Sequence, residues 1–139
     1  MNYLFVDTSG WMALADADDP HHNAARVGRD DWLRRGGLLV SSNYVMDETL
    51  TLLRVRLNLE AAARWWRQIE SSPRFHWEWI DTARSQKALE WFLGWSDKRF
   101  SFTDCTSFVI MRELGLRQAL TTDRHFVQAG FETIPLITL

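Results

Sequence analysis

The chain has 139 residues, enough for one domain that buries about two-thirds of the surface its unfolded form exposes. Lys and Arg number 16 against 18 Asp and Glu, a formal net charge of -2, so no overall basic field gathers a polyanion and any nucleic-acid contact must come from local patches. The single cysteine, Cys105, excludes an intrachain disulfide and a thiolate zinc knuckle, and it points to a reducing compartment, the cytoplasm, and to oxygen ligands for any metal.

No basic leader precedes an apolar stretch and no run approaches the roughly 18 apolar residues of a membrane span, so neither a signal peptide nor a membrane helix is expected. In chain order, residues 3–6 have strand character and halt at Asp7, which is followed by Thr8, Ser9 and Gly10. The next predicted element is a polar helix over about 23–35, stopped by Gly36 and Gly37. LLVSS follows as a buried strand. Over 43–57 the apolar positions Met46, Leu50, Leu53 and Leu57 recur at helical spacing, and another helix runs over about 59–69 until Ser71, Ser72 and Pro73 end it.

FHWEWI alternates Phe75, Trp77 and Trp79 with His76, Glu78 and Ile80, the period of a strand. Asp81 then caps a helix to about residue 95, and a connection over 96–103 leads to a helix over 104–114 with Gly115 as its stop. ALTT is a strand, residues 124–129 a short helix, and residues 133–136 a last strand. This alternation predicts a single α/β sandwich with a mainly parallel central sheet, because parallel neighbours need helical crossovers. In such sheets ligands gather at the carboxyl ends of the strands, where strand order reverses, so acids there are the first candidates.

Asp7 and Asp123 meet that criterion, one after the first strand and one after ALTT. Each has a capping alternative: Asp7 for the turn at Gly10, Asp123 for the helix holding His125 and Phe126. Helical register separates Asp47 from Glu48. Asp47 shares a face with Thr51, Arg54 and Asn58, a solvated stripe, whereas Glu48 lines up with Leu52, Val55 and Leu59 and is expected to turn toward the fold. Asp104 opens its helix beside Thr103, an equally competent cap, so Asp104 either caps or looks inward. Asp16, Asp18, Asp19, Asp30, Asp31 and Asp97 read as solvated surface.

LFVDTSGWMALA, the Glu of SSNYVMDETL, the Asp of FSFTDCTSFVIM, and ALTTDRHFVQAGF resemble the successive motifs of PIN-domain ribonucleases, specifically the VapC-like toxins of toxin–antitoxin pairs. The resemblance spans nearly the whole chain, in the family's order. It implies one PIN domain over 1–139, a three-layer sandwich, with Asp7, Glu48, Asp104 and Asp123 as an acidic quartet and Ser9 and Thr121 in support. It also implies Mg²⁺ or Mn²⁺, an RNA substrate cut to a 5′-phosphate and a 3′-hydroxyl, a homodimer and a cognate antitoxin. HHNAA resembles the family's second helix, which leaves His21 and His22 as surface or capping residues; His125 stands near the site but reads as helix surface.

Crowding supplies a physical reason for the metal. Like charges about 6 Å apart repel by roughly 3 kcal/mol at an effective dielectric of about 20, so four converging carboxylates must keep a proton or bind hard cations. Candidate phosphate contacts are Arg54, Arg56, Lys98, Arg99 and Arg124. Eight Trp are assigned mainly to core and interfaces, with Trp91 and Trp95 on one helix face and Trp65 and Trp66 facing apart. A haloacid-dehalogenase-type phosphotransferase would need a second Asp where Ser9 stands, and a receiver module a late Lys, whereas the last lysine is Lys98. A PIN-type processing nuclease without an antitoxin, and a non-catalytic PIN-like binding module, stay open at this point.

Overall fold

The computed structural model describes residues 2–138. Its elements are β1 (Tyr3–Val6), α1 (Thr8–Ala15), α2 (His22–Arg34), β2 (Leu38–Ser42), α3 (Asn43–Arg56) and α4 (Leu59–Ser71). They continue with β3 (Phe75–Glu78), α5 (Thr82–Gly94), α6 (Phe102–Leu114), β4 (Gln118–Leu120), α7 (His125–Gln128) and β5 (Glu132–Ile134). The five strands form one sheet in the order β3-β2-β1-β4-β5, and every pairing is parallel. The predicted "mainly parallel" sheet is thus parallel throughout.

Helical crossovers bury the central strands on both faces, which is why β1 is a continuous apolar run rather than an alternating one. Leu4, Phe5 and Val6 are fully buried, as are Val40, Ala119 and Leu120. Packed against them, α1 meets α2 and α3, α3 meets α4, and α5 meets α6. Phe108 and Phe100 continue the core under α5, edge to face with each other and beside Trp91.

Sequence patterning missed α1. Five of its residues, Thr8, Gly10, Trp11, Met12 and Ala13, are buried, so the segment has no polar face to reveal a helical period. Gly10 explains the burial: a Cβ there would stand 2.2 Å from the Leu120 carbonyl oxygen, and only its absence lets α1 lie against the backbone of β4. That approach sets the spacing of the residues that follow β1 and β4.

Candidate active site

Connections from β1 run outward to β2 and β3 on one side, while β4 and β5 lie on the other. The strand order therefore reverses between β1 and β4, the place where open α/β sheets bind ligands. Asp7 leaves β1 there, Asp123 follows β4, Asp104 lies in the first turn of α6 and Glu48 lies on α3. All four line one cleft of about 300 Å³, together with Thr8, Ser9, Thr103 and Arg56.

Asp7 is 6% exposed and is the N-cap of α1, its Oδ1 accepting from the Gly10 N–H at 2.9 Å. Capping and cleft placement, alternatives in the sequence, coincide in this one side chain. Ser9 Oγ donates to Oδ1 at 2.9 Å and Thr121 Oγ1 donates to Oδ2 at 2.9 Å, while the two hydroxyls lie 3.0 Å apart. Both hydroxyl oxygens also accept backbone N–H groups, from Thr122 and Asp123.

The three contacts among Asp7, Ser9 and Thr121 need three protons, and the two hydroxyls supply only two. A protonated Asp7 completes the ring by donating from Oδ2 to Thr121 Oγ1 while the Thr121 hydroxyl turns to Ser9 Oγ; an ionised one, accepting from both hydroxyls, leaves the Ser9–Thr121 contact without a hydrogen. Burial acts in the same direction and, despite the hydrogen bonds it accepts, pushes the Asp7 carboxyl up to about 7, with Asp123 adding to the rise.

Asp104 is the third residue of α6, in a capping box with Ser101. The Ser101 N–H donates to Asp104 Oδ2 at 3.0 Å and the Asp104 N–H to Ser101 Oγ at 2.9 Å. The cap is thus Ser101, neither Thr103 nor Asp104, and the helix starts two residues earlier than predicted. Burial and the neighbouring Asp123 charge raise the Asp104 pKa, against the Ser101 bond and His125. Next along α6, burial lifts the Cys105 thiol to about 11, so it stays protonated and is no nucleophile at neutral pH.

His125 corrects the sequence reading. Its Nδ1 stands 3.0 Å from Asp104 Oδ2 and 3.3 Å from Asp123 Oδ1, and its ring meets Phe100 edge on. Asp104, Asp123 and His125 present ligand atoms all within 4.8 Å of one another. Asp7 and Glu48 line the same cleft without joining that tight group. Asp123 Oδ1 also accepts the His125 N–H at 2.9 Å, so it closes the turn into α7 while facing the cleft.

Glu48 reaches the cleft on only the first turn of the stripe its register suggested. Val55 and Leu59, which were to carry its stripe inward, are 74% and 59% exposed, and Glu48 itself is exposed. Leu52, the half-buried member of that stripe, lines the cleft beside it, so the register holds for one turn of α3 and no further. Asp19, assigned to the surface by its charged surroundings, is half-buried and lines the cleft too. Among the candidate phosphate contacts only Arg56 lines it; Lys98 pairs with Asp97 at 3.3 Å. His22 Nδ1 donates to the Ala13 carbonyl oxygen, 2.8 Å away, and does not line the cleft.

A family model described as the PIN domain matches residues 4–132. The 23S rRNA-specific endonuclease VapC20 of Mycobacterium tuberculosis is 35% identical over 128 residues, which cover 92% of this chain and 95% of that protein. Its crystal structure, described as a sarcin–ricin loop cleaving toxin, matches with a TM-score of 0.82 at 34% identity over 92% of this chain and 95% of that one. VapBC2 from Rickettsia felis, bound to a promoter DNA fragment, shares the fold at a TM-score of 0.72 and 11% identity, over 96% of this chain and 98% of that one. The chain belongs to the PIN-domain family, among its VapC-like toxins.

Proposed function

We propose that this protein is a divalent-metal-dependent endoribonuclease acting as the toxin of a toxin–antitoxin pair, with Asp7, Glu48, Asp104 and Asp123 as its catalytic and metal-holding acids. The observation that carries the reading is their placement on one cleft at the sheet's switch point, with burial already holding Asp7 near neutrality. The donor set fits the ion: carboxylate oxygens, no thiolate within reach as a ligand, and charge crowding that a hard cation relieves. Such an ion, Mg²⁺ or Mn²⁺, orients a phosphodiester, acidifies a bound water and stabilises the leaving oxygen.

The chain's own residues do the rest. Ser9 and Thr121 hold the Asp7 carboxyl in one orientation through the hydroxyl ring. The α6 capping box fixes Asp104, and Arg56 stands at the cleft to contact backbone phosphate. Because the acids would repel an approaching phosphate, Arg56 is the positive charge that the chain itself offers at the cleft. No side chain has to act as nucleophile.

By likeness to VapC20, an RNA hairpin bearing the sarcin–ricin loop is the first substrate to test. With Mg²⁺ or Mn²⁺, the purified protein is expected to cut it once, leaving a 5′-phosphate and a 3′-hydroxyl, and EDTA is expected to stop the reaction reversibly. Cleavage that persists in EDTA sinks the metal mechanism; no cleavage of this or any structured RNA sinks the nuclease reading. A cognate antitoxin, expected to copurify and suppress cleavage, completes the assignment. The exposed apolar residues Leu89, Phe92, Leu93 and Trp95 on and just after α5 support a homodimer, and the lone buried Cys105 fits the cytoplasm. Among the described residues no helix is long and apolar enough to cross a membrane.

A further inference from the structure

We infer that His125 is itself a metal ligand, contributing a nitrogen through Nδ1 to an ion shared with Asp104 and Asp123, so that the centre prefers first-row transition ions to Mg²⁺. The inference rests on the metal-dependent reading above and adds a ligand that the acidic quartet does not contain.

Geometry is the first argument. In an octahedron with bonds of about 2.1 Å, adjacent ligand atoms are about 3 Å apart. Nδ1 lies 3.0 Å from Asp104 Oδ2 and 3.3 Å from Asp123 Oδ1, the spacing of neighbouring ligands on one ion. The three atoms form the one group of at least three potential ligands that converges within 4.8 Å among the described residues.

Hydrogen-bond accounting is the second. Asp104 Oδ2 already accepts the Ser101 N–H, and Asp123 Oδ1 already accepts the His125 backbone N–H. Neither oxygen depends on the imidazole for a donor. In the metal-free protein the ring nitrogen can donate to Asp104 Oδ2; a cation that displaces that proton would meet the nitrogen lone pair and both carboxylate oxygens at once. Backbone placement makes this more than a chance approach, because Asp123 and His125 are locked in one turn and Phe100 backs the ring.

The chemical consequence follows from ligand type. Mg²⁺ takes oxygen ligands and retained water, whereas imidazole favours transition ions, more strongly for Co²⁺ than for Mn²⁺. The test is pulsed EPR of Mn²⁺ bound to the full-length protein, with calorimetric titration of Mn²⁺, Co²⁺ and Mg²⁺ into the wild type and H125Q, each checked for fold by circular dichroism. H125A serves as the second variant should the glutamine disturb packing.

The wild type is expected to show the ¹⁴N coupling of a directly bound imidazole, lost in both variants. Their Co²⁺ and Mn²⁺ affinities should fall on the order of tenfold or more, with Mg²⁺ affinity nearly unchanged. Bound Mn²⁺ without nitrogen coupling in the wild type, or an equal loss of all three ions in the variants, overturns the inference and leaves His125 a hydrogen-bonding clamp. A wild type that takes up no divalent ion overturns the metal reading as a whole.

Discussion

Asp7 shows how one side chain both caps a helix and lines the cleft. It caps α1 and closes a hydroxyl ring, yet its burial makes the ionised form costly. Asn reproduces the protonated form: its oxygen accepts from Gly10 and Ser9 and its amide donates to Thr121. Asp7→Asn should therefore abolish RNA cleavage, by at least about a thousandfold, while the metal-free variant melts no lower than the wild type at pH 8. A calorimetric melt and a gel assay on the same preparation check both halves. A variant that loses activity by unfolding would contradict the ring as described.

At the scale of elements, α1 and α6 bring the acids within reach of each other. Gly10→Ala places a methyl against the Leu120 carbonyl, so α1 must move off β4, which should cost about 1–3 kcal/mol and break the Asp7–Thr121 contact. Chemical denaturation and the cleavage assay should both register the change. Ser101→Ala removes the cap of α6 but not the acid, and should cost about 1 kcal/mol while weakening metal affinity through a less confined Asp104. Unchanged metal binding in Ser101→Ala would show that the cap does not steer the carboxylate.

These two helices also mark where the sequence was hard to read. An element buried nearly all round has no amphipathic period, so α1 was invisible although its N-cap acid was singled out. The start of α6 was displaced because Thr103, Asp104 and Ser101 are all competent caps, and only the path of the preceding loop selects Ser101. The helices with one wet face, α2, α3, α4 and α5, were placed within a few residues of their observed ends, since burial on one side alone is what periodicity reports.

For the whole molecule, charge sets an unusual pH response. Arg84 binds Glu78 at 2.7 Å and Glu113 at 2.9 Å, and despite partial burial these bonds hold both carboxyls below the usual value of 4.5. Their contribution is present above about pH 4.5 and is lost as the pH falls through their folded values. Asp7 acts in reverse. Its carboxyl binds a proton in the folded state up to about pH 7, against 3.8 for an ordinary Asp, so stability falls as pH rises between those values, by up to about 4 kcal/mol. Asp104 is raised as well and adds to the fall.

The metal-free protein should accordingly be most stable in mildly acid solution and melt lower at pH 8 than at pH 5. Mg²⁺ or Mn²⁺ should recover much of the loss at pH 8, and Asp7→Asn should shrink the difference between the two pH values. Melting curves across that range, with and without the ion, decide the matter. A metal-free melting temperature that climbs steadily from pH 5 to pH 8 would contradict the assignment of Asp7 as the dominant buried acid.

The sequence by itself determined most of the alternating strands and helices and the parallel sheet, because hydrophobic period and turn residues are local properties written along the chain, and its ordered motifs singled out, by resemblance, the four acids that line the cleft. Only the tertiary structure decided that His125 and Asp19 face the acids and that the Glu48 stripe holds for one turn of α3. Segments far apart in the chain meet there through packing, and no local pattern carries that geometry. A histidine at the start of a short helix looks like surface until the N-terminus of α6, some twenty residues earlier, is folded against it.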